Sequence, residues 1–201
     1  MSAALAPRLT GRNVTLEQAV AAHDAALAAL VDEDRSAYPW TLMPAGEAGF
    51  AAQRSALSET GRLLYTVLVG GHPVGQTAFY DLEFFAGRAE PDVCEIGHTW
   101  YAPAFRRTFV NSECKRLMLG HAFDTWHCGR VALRTDARNT ASRHAMERLG
   151  LTFEGVRRRH VPASTGGLRD TAYYSLLAEE WPAVRERLDR FVDAAPRPTV
   201  S

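Results

Sequence analysis

The sequence predicts a mixed α/β (α+β) domain built on a largely antiparallel sheet. Three observations lead there. Apolar runs with strand and helix periods follow one another as strand, two helices, three strands, helix, strand, helix, two strands, helix. The extended runs "RLLYTVLV" and "VGQTAFYDL" are joined by the turn "GGHP", which reads as a hairpin. A whole helix separates "CEIGHTWY" from "RVALRT", which marks one strand–helix–strand crossover in the middle of the chain.

Each element has a local reason. Residues near Leu9–Leu16 look like a short strand, and the alanine-rich "LEQAVAAHDAALAALV" is helical by propensity. "SAYPWTLMP" carries two prolines and reads as a loop. "GEAGFAAQRSALSETG" reads as a second helix closed by Gly61. After the hairpin come the strand Cys94–Tyr101, the loop "RRTFVN" and a helix over Ser112–Trp126. "RVALRT" is a strand, "NTASRHAMERLG" a helix ended by Gly150, "TFEGVRRRH" and "DTAYYSLL" two more strands, and "EEWPAVRERLDRFV" the last helix. Residues 1–195 are expected to form one domain, and 196–201, in the proline-rich "APRPTVS", a flexible tail.

Composition narrows the function. The 201 residues carry 23 basic and 23 acidic side chains, so no global field attracts nucleic acid or an anionic membrane. Lys115 is the only lysine. The cysteines Cys94, Cys114 and Cys128 form no C-x-x-C pair, and read as buried or half-buried free thiols rather than a disulfide framework or a zinc site. Neither a signal peptide nor an apolar run of membrane-spanning length is present, which makes the cytoplasm the expected location.

Four segments can carry chemistry. "RRTFVNSE" joins a strand to a helix, and free N–H groups at a helix start, helped by its dipole, can hold a phosphate. Thr108 and Asn111 can add side-chain donors there, and Arg106 and Arg107 charge; the bland reading is a plain turn. In "NTASRHAMERLG", Ser142, Ala145, Met146 and Leu149 share one helix face, while Arg143, His144, Glu147 and Arg148 face away. Ser142 then either bonds the carbonyl one turn back or donates to a ligand, and Asn139 sits where a helix cap belongs. On a regular strand, Cys94, Ile96, His98 and Trp100 share one face and Glu95, Gly97, Thr99 and Tyr101 the other. Gly97 marks a bulge or a close backbone approach. Glu95 and His98 are candidate general bases, or else members of cross-strand polar pairs. "RRRH", Arg157 to His160, reads as a solvated strand end, with a ribose-phosphate contact or a nucleic-acid patch as the functional alternatives, the latter without the aromatic interleaving that would support it. His121 and His127 have no partner at ligand spacing, and no metal is expected.

Taken in order, the run from "EIGHTWYAPAFRRTFVNSECKRLMLGHAFD" through "VALRTDARNTASRHAMERLGLTFEGVRRRH" to "RDTAYYSLLAEEWP" resembles the GNAT superfamily of acyl-CoA-dependent N-acetyltransferases. It looks most like the ribosomal-protein N-terminal, RimJ/RimL-like branch, over about residues 8 to 192. The resemblance implies a six- to seven-stranded sheet flanked by helices on both faces. It implies acetyl-CoA as co-substrate, with its pyrophosphate on Arg106, Arg107, Thr108, Phe109, Val110, Asn111 and Ser112. That loop departs from the family's Q/R-x-x-G-x-G/A pattern by lacking glycine. Asn139 and Ser142 match positions that contact the pantetheine arm and the sulfur, and the strand holding Ile96, Gly97 and Trp100 matches the one that bonds the pantetheine and the acetyl carbonyl. Met146 stands where many members place a tyrosine acid, which leaves Ser142 as the replacement. The acceptor side falls on the first two helices and on Tyr38, Trp40 and Met43, an apolar set suited to a peptide N-terminus or a small amine. Asp32, Glu33 and Asp34 leave room for a cationic acceptor. The implied activity is direct acetyl transfer to a primary amine by a monomer or homodimer, and the alternative is a non-catalytic acyl-CoA sensor on the same fold.

Overall fold

One continuous eight-stranded sheet, in the order β1-β2-β3-β4-β5-β6-β8-β7, organises the chain. The computed structural model describes residues 6–194 except Ala86. The expected tail over 196–201 lies outside the described residues. The strands are β1 (Leu9–Thr10), β2 (Val14–Gln18), β3 (Leu63–Val69), β4 (His72–Glu83), β5 (Val93–Tyr101), β6 (Arg130–Asp136), β7 (Thr152–Pro162) and β8 (Leu168–Leu177). The helices are α1 (Ala21–Asp32), α2 (Gly46–Glu59), α3 (Phe109–Gly120), α4 (Thr140–Leu149) and α5 (Trp181–Asp193). Every neighbouring pair is antiparallel except β5–β6.

The helices divide between the two faces. Helix α3 packs its Val110–Cys114–Met118 stripe, α4 its Met146 and Leu149, and α5 its Trp181, Val184 and Leu188 into one large core. The sheet contributes Ile96, Val131, Leu133, Ala172, Tyr174 and Leu176 to the same core. On the other face, α1 and α2 bury Leu27, Val31 and Phe50 with Tyr38 and Trp100, and Leu57 with Leu64, Ala78 and Tyr80. All three cysteines are free and buried, as expected. His121 is structural, its ring 4.5 Å from that of Trp126.

Three sequence expectations are corrected. The first strand is two, because a turn after Thr10 folds β1 back on β2, and Leu16 to Gln18 extend β2 instead of starting α1. Leu16 is fully buried, so pairing with β3 outweighs its helical propensity. Helix α3 begins at Phe109, three residues early, because Thr108 caps it by accepting from the Val110 N–H at 3.3 Å. It ends not at Trp126 as a regular helix but in a wider π-type turn over His121–Thr125, closed by the Trp126 N–H donating to His121 O at 3.0 Å.

The β1–β2 turn is fixed from within. The buried Glu113 of α3 accepts from the N–H groups of Asn13 (2.6 Å) and Val14 (3.1 Å) and from Asn13 Nδ2 (3.1 Å). Glu113→Ala leaves these donors without a partner. The expected loss is about 3 kcal/mol in urea unfolding, from hydrogen bonds to a charged group. An unchanged midpoint contradicts this account of the turn.

Candidate active site

The site begins where the parallel pairing stops. β5 and β6 pair only over Val93–Arg130, Cys94–Val131 and Glu95–Ala132. Beyond that point β5 runs on to Tyr101 along β4, and β6 runs on to Asp136 along β8. Their facing edges therefore part, leaving backbone groups of Ile96–Trp100 and Leu133–Asp136 without a ladder between them. α3 follows β5 and α4 follows β6, so both helix N-termini sit at the mouth of this gap, with their positive dipole ends and the first-turn N–H groups that the Thr108 and Asn139 caps do not take.

A bulge shapes the β5 edge. Gln76 pairs with Trp100 and Ala78 with Gly97, so two steps on β4 oppose three on β5. His98 takes a left-handed φ of 52° there. The extra residue reverses the alternation, which corrects the sequence assignment of faces. Trp100 leaves the face of Cys94 and Ile96 and joins Tyr38 and Phe50, and Tyr101 enters the large core. Gly97 is required on contact grounds, since a Cβ there would lie 2.2 Å from the Tyr80 hydroxyl. Beneath the bulge the buried Lys115 donates from Nζ to Thr99 Oγ1 at 3.0 Å, and Thr99 Oγ1 meets Thr77 Oγ1 at 2.9 Å. Burial lowers the Lys115 ammonium pKa from its ordinary value.

The opposite face of the sheet is polar where β5, β6 and β8 meet. The Tyr80 hydroxyl donates to Glu95 Oε1, and Arg134 Nε reaches the same oxygen at 3.0 Å. Arg134 Nη1 donates to the Tyr173 hydroxyl at 3.2 Å, which lies 3.4 Å from His160 Nε2. Burial raises the Glu95 pKa from its ordinary value, although Tyr80 and Arg134 favour the ionised form. Among the described residues Glu95 Oε2 makes no hydrogen bond. The His98 Nε2 is shielded from solvent and unpartnered, and burial followed by the nearby Arg62 charge lowers its pKa to about 4. Sequence reasoning missed Tyr80, Arg134 and Tyr173, and took His160 only as part of a solvated strand end or a ribose-phosphate contact. Its usable signal was the period-two polar set Arg130–Arg134 and Thr171–Ser175 in strands otherwise apolar.

The other expected residues fall as follows. Asn139 caps α4, its Oδ1 accepting the Ser142 N–H at 3.1 Å. Ser142 is half-buried on the first turn, and among the described residues its Oγ makes no hydrogen bond, so it does not bond the carbonyl one turn back. Met146 is buried core. Arg143 does not face away: its Nε donates to the Tyr174 hydroxyl at 3.1 Å. Ile96, Val110 and Ser112 bury their side chains, so only their backbones can meet a ligand. Phe109 packs on the core edge, Arg107 is exposed with φ 58°, and Asn111 Oδ1 accepts from the Tyr101 hydroxyl at 3.3 Å. Arg106 is committed elsewhere. Its Nη1 donates to Ala37 O at 2.7 Å and its guanidinium lies 4.7 Å from the Tyr38 ring centroid. That grip, with Arg138 over Trp40 at 5.3 Å and the Ser164 hydroxyl donating to Pro39 O, fastens the Tyr38–Met43 loop beside the gap. Asp32 pairs with Arg35 and Asp34 accepts from Ser36, so neither forms part of an acidic pocket. Among the described residues no group of three or more His, Cys, Asp or Glu side chains could hold a metal ion, and no helix is long and apolar enough to cross a membrane.

The parallel pair thus parts between two helix N-termini, with a bulged strand on one edge, and leaves a cleft edged by backbone groups. The acetyltransferase (GNAT) domain family matches residues 12–152, and the chain belongs to that family. Its relatives include the candidate ribosomal N-acetyltransferase YdaF of Bacillus subtilis, 31% identical over 57% of this chain and 59% of that protein. Among solved structures, a GCN5-related N-acetyltransferase from Brucella melitensis is similar with a TM-score of 0.82 at 28% identity, covering 92% of this chain and 85% of that one. An acetyltransferase structure from T. thermophilus is 33% identical with a TM-score of 0.77, covering 91% of this chain and 95% of that one. Mycobacterium smegmatis RimJ, solved with CoA-disulfide, shares the fold with a TM-score of 0.78 at 21% identity, covering 92% of each chain.

The low pKa of His98 has a stability consequence. Between its ordinary value of 6.5 and about 4 the folded chain binds fewer protons there than the unfolded chain. The associated stability is complete above pH 6.5 and is lost as pH falls through that window. His98→Asn, which tolerates the left-handed backbone, is expected to give a shallower fall of the urea midpoint between pH 7 and 4.5. An identical slope would mean that His98 titrates normally.

Proposed function

We propose that this chain is an N-acetyltransferase that moves the acetyl group of acetyl-CoA directly to a primary amine, on a protein N-terminus or a small molecule. The observation that carries the reading is the parting of β5 from β6 between two helix N-termini, with an uncommitted Ser142 hydroxyl at one of them. The fit to the donor is chemical. N–H groups at the start of α3 suit a pyrophosphate without glycine, because only the backbone is asked to donate. The open edge of Ile96–Trp100 suits an amide-bearing pantetheine arm, as a strand edge suits a peptide.

The catalytic roles follow from the chain's own groups. The amine nitrogen must be neutral to attack. Glu95 is the favoured base: burial raises its pKa from the ordinary glutamate value, and its Oε2 can take the ammonium proton through one water. His98, with a pKa of about 4, is a weak base, and suits accepting a hydrogen bond from the amine. Backbone N–H groups at the bulge can stabilise the negative oxygen that forms as nitrogen bonds to the acyl carbon. The carbon–sulfur bond then breaks, and Ser142 Oγ gives the sulfur a proton that it recovers from solvent. Tyr38, Trp40 and Met43 line the acceptor side. The proposal takes the chain as cytoplasmic and as a monomer or homodimer. The non-catalytic reading draws on the buried Met146 and the committed Arg106, and predicts binding without turnover.

Calorimetry with CoA, beside thiol release from acetyl-CoA over a panel of peptides and small amines, tests this. Asn139→Ala/Ser142→Ala should weaken CoA binding about tenfold or more, roughly 1.4 kcal/mol. Ser142→Ala alone should lower kcat on the best amine by about a hundredfold. The rate should fall on the acid side at a pH above the ordinary glutamate value, because the base must be ionised, and Glu95→Gln should abolish that limb along with most of the activity. Failure of the wild type to bind CoA would remove the proposal, and binding without turnover would favour the sensor.

A further inference from the structure

The polar face of β6, β8 and β7 carries more positive charge than its carboxylates use. Glu95 is committed to Arg134, Asp136 to Arg138, and Asp170 to the Arg159 N–H. Two arginines on this face form no ion pair among the described residues. Arg157 Nη1 lies 3.3 Å from His160 Nε2, and Arg169 makes no side-chain hydrogen bond among the described residues. Arg169 Nε is shielded from solvent and meets no acceptor. A buried guanidinium nitrogen without an acceptor is costly, and such groups are ordinarily satisfied by a carboxylate, a carbonyl or water.

Their placement is set by strand register. Thr171 pairs with Asp136 and Arg157, and Tyr173 with Arg134. Arg169, Thr171 and Tyr173 alternate onto one face, Arg169 lying nearest the β7–β8 turn whose Ser164 touches Pro39. His160 confirms the local field: burial first, and then the charges of Arg157, Arg134 and Arg169, lower its pKa from the ordinary value. The face therefore runs from Arg134, which Glu95 and Asp81 both approach, to two arginines that form no ion pair among the described residues, the charge of Arg169 being felt by the Asp136 carboxylate that Arg138 already holds.

Resting on the acetyltransferase reading, we infer that the acceptor is a peptide N-terminus with a carboxylate side chain among its second to fourth residues, received by Arg169 and Arg157. The distance selects the peptide. Arg169 is four residues along the strand from Tyr173, about 13 Å at about 3.3 Å per residue. An amine at Glu95 and a carboxylate at Arg169 are thus several residues apart in an extended chain. The carboxylate of a single amino acid lies too close to its own amine to bridge them. Arginine pairs with carboxylates through two parallel N–H donors, so an acidic side chain is the matching group.

The test uses two hexapeptides that begin with serine and differ only in carrying glutamate or glutamine at positions two to four, with free glutamate as a third ligand. Affinity is measured by calorimetry on the full chain saturated with CoA, and turnover separately with acetyl-CoA. The glutamate peptide is expected to bind about tenfold tighter or better, with a preference that weakens as salt rises. Arg157→Gln/Arg169→Gln should bring the two peptides within about twofold, with kcat on the glutamine peptide unchanged. Turnover of both peptides without preference overturns the inference and leaves the transferase reading standing. Preferential binding of the glutamate peptide without turnover does the reverse. A preference that survives in the double variant, or free glutamate binding better than the peptide, overturns the assignment to these arginines.

Discussion

Three residue pairs join β5 to β6, and the site depends on the ladder ending there. A parallel pair needs a crossover, so α3 must leave the end of β5 and return to start β6. That geometry brings the N-termini of α3 and α4 to the same end of the sheet, where the strands have parted. The bulge at Gly97–Thr99 adds to the divergence, because an extra residue bends β5 and exposes its edge. It is held by the Tyr80–Glu95 contact on one side and by the Lys115–Thr99–Thr77 hydrogen bonds on the other. Weakening either set should let β5 straighten toward β6 and narrow the gap.

The sheet is also divided by face. On the α3–α5 side its residues are apolar and close-packed, which gives the rigid frame that a positioned reaction needs. On the other side α1 and α2 cover β3 and β4, while β6, β8 and β7 show arginines, tyrosines and a histidine to the cleft. The loop from Tyr38 to Met43 bridges the covered and open parts. It is fastened by Arg106, Arg138 and Ser164, which belong to the segments preceding α3, preceding α4 and joining β7 to β8. Tyr38 anchors one end of the loop in the α1–α2 core, and Arg35 holds the other by donating to Met43 O and Pro44 O at 2.8 Å each.

Much of this was legible in the sequence. Hairpin, crossover and helix stripes follow from period and turn chemistry, and Gly61 and Gly150 end their helices with positive φ of 75° and 98°. What stayed hidden depends on long-range contacts. Leu16 to Gln18 have helical propensity, and only the ladder to β3 makes them strand. The face of Trp100 reverses because of one unpaired residue, which no period-two pattern reveals. The place of Arg106 in the loop gives no sign of its hydrogen bond to Ala37 O, 69 residues away. Glu95 was singled out as a candidate base, but its coupling to Arg134 and Tyr80 follows from the sheet register alone.

The most direct measurement is amide hydrogen exchange of the full chain with and without CoA. The account predicts new protection at Ile96–Trp100 on β5 and at the first turns of α3 and α4, with little change along β1 and β2. Protection confined to other segments, with the β5 edge exchanging as before, would contradict the claim that the parted strands are the donor site.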